Sequence, residues 1–87
     1  MENQEDQKID FSAFVMSLAS SAYVSLGLIE NPITKTKDKN LVIAKQQIDL
    51  VIILKEKTKG NLTSQEQYMI DSLIYQLELA YVGELKK

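Results

Sequence analysis

Residues 11–29 read FSAFVMSLASSAYVSLGLI and carry no charge, with Asp10 on one side and Glu30 on the other. No other feature limits the fold as sharply. Phe11, Phe14, Val15, Leu18, Ala22, Leu26 and Ile29 recur at steps of three and four, which is one stripe of an α-helix. Met16, Ala19, Tyr23 and Val24 lie on other faces, and Ala13, Ser17, Ser20, Ser21 and Ser25 are small. A helix without a charged face has no side to give to water and is expected to be buried. Ser17, Ser21 and Ser25 stand four apart, a spacing at which small side chains let another helix come close. Serine hydroxyls bond back to a carbonyl one turn earlier, so they are tolerated inside. Asp10 or Ser12 is placed to cap the start. Gly27 is placed to end the helix at C′, with Leu28 folding back as its hydrophobic contact.

Three kinds of cover suit such a helix. A bilayer is crossed by about 20 residues. The eight Phe, Val, Leu and Ile residues contribute only about −2 to −5 kcal/mol to insertion, against five serines, a tyrosine and a glycine. The flanks lack basic clusters and Trp anchors, so a membrane anchor at 11–29 is the weaker reading. A signal peptide needs a basic start, whereas Glu2, Glu5, Asp6 and Asp10 face only Lys8. The favoured reading is the central helix of a soluble bundle.

The other two helices follow from pattern and caps. Residues 1–9 are polar and acidic and read as a disordered tail. The first helix covers about 11–27. Pro32 then forbids helix, and the alternating Lys and Thr of 33–39 make a solvated loop. Asp38 or Asn40 caps a second helix over about 41–58. Its main stripe is Leu41, Ala44, Ile48, Val51 and Ile52; Ile43, Leu50 and Leu54 form another, roughly 140° away. Gly60 ends it, with Lys55, Lys57 and Lys59 where cations suit the helix dipole. Thr63-Ser64-Gln65-Glu66 is a capping box that starts a third helix over about 64–82. Met69, Ile70, Leu73, Leu77, Ala80 and Tyr81 form its broad stripe; Tyr68, Tyr75, Leu79 and Val82 form a narrower one. The fold class is therefore all-α, a three-helix bundle in one domain over 10–83, with 84–87 as a frayed end.

Every helix carries more apolar surface than one core needs. A surplus of about 500 Å² per chain is worth about 12 kcal/mol when buried, against roughly 4–15 kcal/mol for association. The expectation is completion of the bundle by self-association, most simply a twofold dimer. The interface is expected to draw on Phe11, Phe14, Leu18, Ala22, Tyr23, Leu26, Leu50, Leu54, Tyr68, Tyr75, Leu79 and Val82. A different protein docking on the surplus face is the rival expectation.

Composition narrows the chemistry. The 87 residues include no Cys, His or Trp, and all ten basic residues are Lys. No disulfide or thiolate metal site is available, and the commonest metal ligand and acid–base residue are missing. Without Arg, nucleic acid is not an expected partner. Residues 1–30 carry a net −4, 31–59 a net +4 and 60–87 a net −2, giving the overall −2. Such asymmetry suits pairing between segments or between subunits, although solvated faces are the favoured account. Asp49 and Glu56, and Asp71 and Glu78, stand seven apart, but di-iron bundles need Glu-x-x-His, and there is no His. The serines have no base nearby, since residues 9–34 contain no Lys. Gly27, Gly60 and Gly83 are isolated and form no phosphate loop. The expectation is no cofactor, no metal and no catalysis, in a cytoplasmic setting suited to a cysteine-free chain.

Three runs together resemble a known family: FSAFVMSLASSAYVSLG at 11–27, Leu41 with Ala44 to Thr63, and LIYQLELAYV at 73–82. They are similar to short bacterial proteins grouped as domain-of-unknown-function family 1844. The likeness spans about 11–82, and KTKGNLT at 57–63 is its most specific piece. The resemblance implies a bacterial source and a small helical domain; it brings no activity, cofactor or catalytic residue. The chain departs from the family pattern at two places. The loop after Pro32 lacks a glycine near Thr34, and Glu78 and Ala80 stand where basic residues are common.

Overall fold

A computed structural model describes residues 10–87. The acidic tail expected at 1–9 lies outside the described residues. The chain forms α1 (Phe11–Ser25), α2 (Leu41–Lys57) and α3 (Ser64–Leu85), with no strand among the described residues. The all-α, three-helix expectation holds.

Each helix begins where its capping residue places it. Asp10 accepts a 2.8 Å bond from the Ala13 N–H, and Asn40 accepts one of 3.1 Å from Ile43. Thr63 and Glu66 close the capping box in both directions, at 3.1 and 2.9 Å. These bonds satisfy N–H groups that the first turn leaves without a helical partner. α1 stops two residues before the expected end. Gly27 takes φ +81°, its N–H donates to Val24 and the Leu28 N–H donates to Tyr23. That pair of bonds is a Schellman turn, which needs a left-handed residue at C′.

The connection from α1 to α2 is tied to both helices. The Asn40 N–H donates to the Ser25 carbonyl at 2.7 Å, which fixes the start of α2 beside the end of α1. Inside the loop, Asn31 accepts from the Ile33 N–H, and Thr36 donates to Asp38 at 2.7 Å. Lys35 holds φ +64°, a left-handed conformation that costs an L-residue energy.

The buried core consists of Val15, Ala19, Ala22 and Leu26 from α1, Ala44, Ile48 and Val51 from α2, and Ile70 and Leu77 from α3. The stripes expected on α2 and α3 supply these residues. The stripe expected on α1 is rotated. Val15, Ala19, Ala22 and Leu26 face inward, while Phe14 and Ile29 are exposed and Phe11 and Leu18 pack only at the edge. The small Ala19, Ala22 and Ala44 take buried positions of α1 and α2, while the larger Phe14 is exposed and Leu18 lies at the rim. α1 is not the wrapped centre either. α2 packs against both neighbours, and α1 and α3 meet less extensively.

α3 extends beyond the end near 82 that its pattern predicts. It runs through Gly83 to Leu85, and Glu84 is only 7% exposed. Lys39 and Lys87 each place an ammonium 2.8 Å from the Glu84 carboxylate. The Lys39 pair joins the last turn of α3 to the segment before α2. The helices together span 43 × 36 × 16 Å. A layer this thin leaves every helix with an outer face.

Candidate self-association surface

α3 presents apolar residues on two opposite faces. Inward, Ile70 and Leu77 are fully buried and Leu73, Ile74 and Tyr81 pack beside them. About half a turn away, Tyr68, Ser72, Tyr75, Leu79 and Val82 follow at alternating steps of four and three. Tyr68 is 76% exposed, Tyr75 65%, Leu79 56% and Val82 45%, with Ser72 half-buried between them. This alternation is the spacing of a seam that packs against another helix. No helix of the described chain covers it.

The edges of the seam differ in polarity. Met69 and Gln76 line one edge, and Asp71 and Glu78 the other. Lys55 reaches from α2 to within 2.8 Å of Asp71, which also accepts 3.1 Å from the Gln67 amide. The Lys55 hydrogen bond holds the Asp71 carboxyl below the usual carboxylate range, against an opposing push from partial desolvation. Asp71 in turn raises Lys55 above the ordinary lysine value, first through that hydrogen bond and then through its charge. At the far end of α3, the hydrogen bonds from Lys39 and Lys87 lower Glu84. The basic middle segment is therefore paired with the acidic last segment at two points.

The other outer faces are less continuous. On α2, Val42, Ile43, Leu50 and Ile53 are exposed, but Gln46 and Lys57 interrupt them. On α1, Phe14 and Met16 flank exposed Ala13, Ser17, Ser20 and Ser21. Ser17 donates back to the Phe14 carbonyl at 3.0 Å, so its hydroxyl is occupied. A cleft lined by Ser20, Ser21, Ser25, Pro32 and Ile33 includes Gln47, whose buried Oε1 has no hydrogen-bond partner among the described residues.

Between α2 and α3 lies a groove of about 350 Å³, lined by Lys45, Ile48, Asp49, Ile52, Glu78, Tyr81 and Val82. Asp49 and Glu78 face this groove, with Lys45 3.1 Å from Asp49. Asp71 is engaged elsewhere by Lys55, so the three carboxylates do not converge. Among the described residues, no group of three or more His, Cys, Asp or Glu is placed to hold a metal.

The interface residues named from sequence divide accordingly. Tyr68, Tyr75, Leu79 and Val82 come together on the outer seam of α3. Phe14 and Leu50 are exposed on α1 and α2. Phe11, Leu18, Tyr23 and Leu54 are partly buried against the core. Ala22 and Leu26 are fully buried within the chain and have no surface to offer, which corrects their assignment. Exposed Met16, Val42, Ile43 and Ile53 were not among the residues named. Ile43 and Leu50 stand seven apart and Ile53 three further on, a spacing that marks one face of α2.

The fold defines a small three-helix all-α domain with an uncovered apolar seam. Residues 8–84 match the family described as Domain of unknown function (DUF1844), and the chain belongs to that family. No curated protein and no solved structure matches it. No described helix is long and apolar enough to cross a membrane.

Proposed function

We propose that the protein is a non-catalytic, self-associating structural or adaptor module acting in a cytoplasm. The uncovered seam of Tyr68, Tyr75, Leu79 and Val82 carries this reading. Solvent exposure of four large side chains in register is unfavourable for an isolated domain and favourable once a second surface removes them from water. The chain brings no His or Cys to its surface, so its chemical repertoire is mainly apolar contact and Lys–carboxylate pairing. Light scattering on the purified full chain tests the reading. A mass above 9.9 kDa that rises with concentration supports it; a constant 9.9 kDa sinks it.

Docking on a different protein is the second reading. It draws on the outer faces of α1 and α2, where Phe14, Met16, Leu50 and Ile53 stay exposed. One twofold contact along α3 leaves those faces free for another occupant.

A further inference from the structure

We infer that a second copy of this chain covers the seam, its α3 lying antiparallel to the first across a twofold axis. This rests on the self-association reading and adds the face, the orientation and the contacts. Three observations bear on it: size complementarity favours this orientation, charge permits it, and area sets how tightly it holds.

Size complementarity is the first. The seam carries its bulk in the order Tyr68, Ser72, Tyr75, Leu79. A parallel pair sets Tyr75 against Tyr75 and leaves a void between two copies of Ser72. An antiparallel pair sets Tyr75 over Ser72 and Tyr68 against Leu79, each twice. Alternating large and small side chains fill a helix interface without voids or overlap.

Charge is the second. In the antiparallel pair the edge bearing Asp71 meets the edge bearing Glu78 of the second copy. Two carboxylates there repel unless a cation lies between them. Lys55 is already in place, 2.8 Å from Asp71 on that same edge. The incoming Glu78 meets an ammonium, and the twofold axis repeats the arrangement. The backbone dipoles also oppose, which favours antiparallel neighbours.

Area is the third. At about 200 Å² for a whole aromatic side chain, Tyr68 and Tyr75 leave about 280 Å² in water. Leu79 and Val82 bring the seam to about 450 Å², or about 900 Å² over two copies, against roughly 1,200 Å² for the smallest stable interfaces. The rims at Met69, Gln76 and Glu78 supply the difference. The dimer is therefore small and dissociates on dilution.

Sedimentation velocity on the full chain, with helix content followed by circular dichroism, tests the inference. The wild type is expected to pass from monomer to dimer as concentration rises. Tyr75→Glu and Leu79→Glu are expected to raise the dissociation constant at least tenfold with unchanged helix content, while Tyr75→Phe retains the dimer. Ser17→Glu, on the outer face of α1, is expected to leave the dimer intact. If Ser17→Glu disrupts association and Tyr75→Glu does not, the face is wrong although self-association stands. A wild type that never associates removes both. Orientation is read separately, because the chain has no cysteine of its own. Tyr68→Cys mixed with Leu79→Cys is expected to form a disulfide-linked dimer on mild oxidation. Tyr68→Cys alone is not, since its two copies lie about 16 Å apart along the antiparallel axis by helix rise. A dimer cross-linked efficiently through Tyr68→Cys alone overturns the antiparallel arrangement.

Discussion

Replacing Gly27 by alanine tests whether the end of α1 is held by the geometry described. Gly27 sits at φ +81°, and a Cβ built on it lies 3.1 Å from the Lys39 Cβ. Gly60 has a similar φ of +85° but nothing within 4 Å of such a Cβ. The two substitutions therefore share a backbone cost and differ in a contact. The left-handed conformation costs an L-residue about 1–2 kcal/mol, offset by about 0.4–1 kcal/mol from the stiffer unfolded chain. Gly60→Ala is expected to destabilise by about 0.5–1.5 kcal/mol on that balance. Gly27→Ala adds an overpacking cost of about 1–3 kcal/mol, because Lys39 is not free to retreat. Its ammonium is held by Glu84 at 2.8 Å, and the adjoining Asn40 N–H is bonded to Ser25 at 2.7 Å. Urea unfolding followed by helix circular dichroism, with all variants at one protein concentration, gives both values. A difference of 1 kcal/mol also separates the melting temperatures by about 4–8 °C in a domain of this size. Equal losses from the two substitutions, or a larger one from Gly60→Ala, refute the packing of the Gly27 turn on Lys39.

Other outcomes follow from the same structure. Lys35→Gly relieves a left-handed lysine at φ +64° and is expected to stabilise by about 0.5–1 kcal/mol in the same urea assay. Leu77→Ala empties a fully buried site facing the core and is expected to cost about 2–5 kcal/mol. Glu84 and Asp71 are both lowered, so their contribution to stability is complete above the ordinary carboxylate range. It is lost as pH falls through their lowered folded values. Glu84→Gln is expected to flatten the acid limb of the urea midpoint against pH; an acid limb identical to that of wild type contradicts the Lys39–Glu84 link. Lys55 is raised, so its contribution is complete below the ordinary lysine range and is lost as pH rises through its raised folded value.

Helix starts were legible in the sequence because an N-cap is a local bond: Asp10, Asn40 and Thr63 each accept from the residue three further on. The turn at Gly27 was legible for the same reason. The rotation of α1 was not, because the helix carries no charge and its serines, exposed at Ser17, Ser20 and Ser21, are small enough to suit a buried face as well. Ala22 and Leu26 were thus placed with Phe14 and Tyr23 at an interface, although the first two are core. α3 was easier, since Asp71, Gln76 and Glu78 bracket its second stripe and fix which side faces out. The end of α3 depended on Lys39, a residue far away in sequence. Only the fold brings that cation to Glu84, and with it the last turn of the helix.

Coverage of the outer tyrosines is tested most directly by nuclear magnetic resonance with a soluble paramagnetic probe, on the full chain across a dilution series. Resonances of Tyr68, Tyr75 and Leu79 are expected to be shielded in concentrated samples and broadened on dilution, while Ser17 and Ser20 are broadened throughout. Broadening of Tyr75 and Leu79 to the same extent at every concentration would contradict the claim that a second copy lies over them.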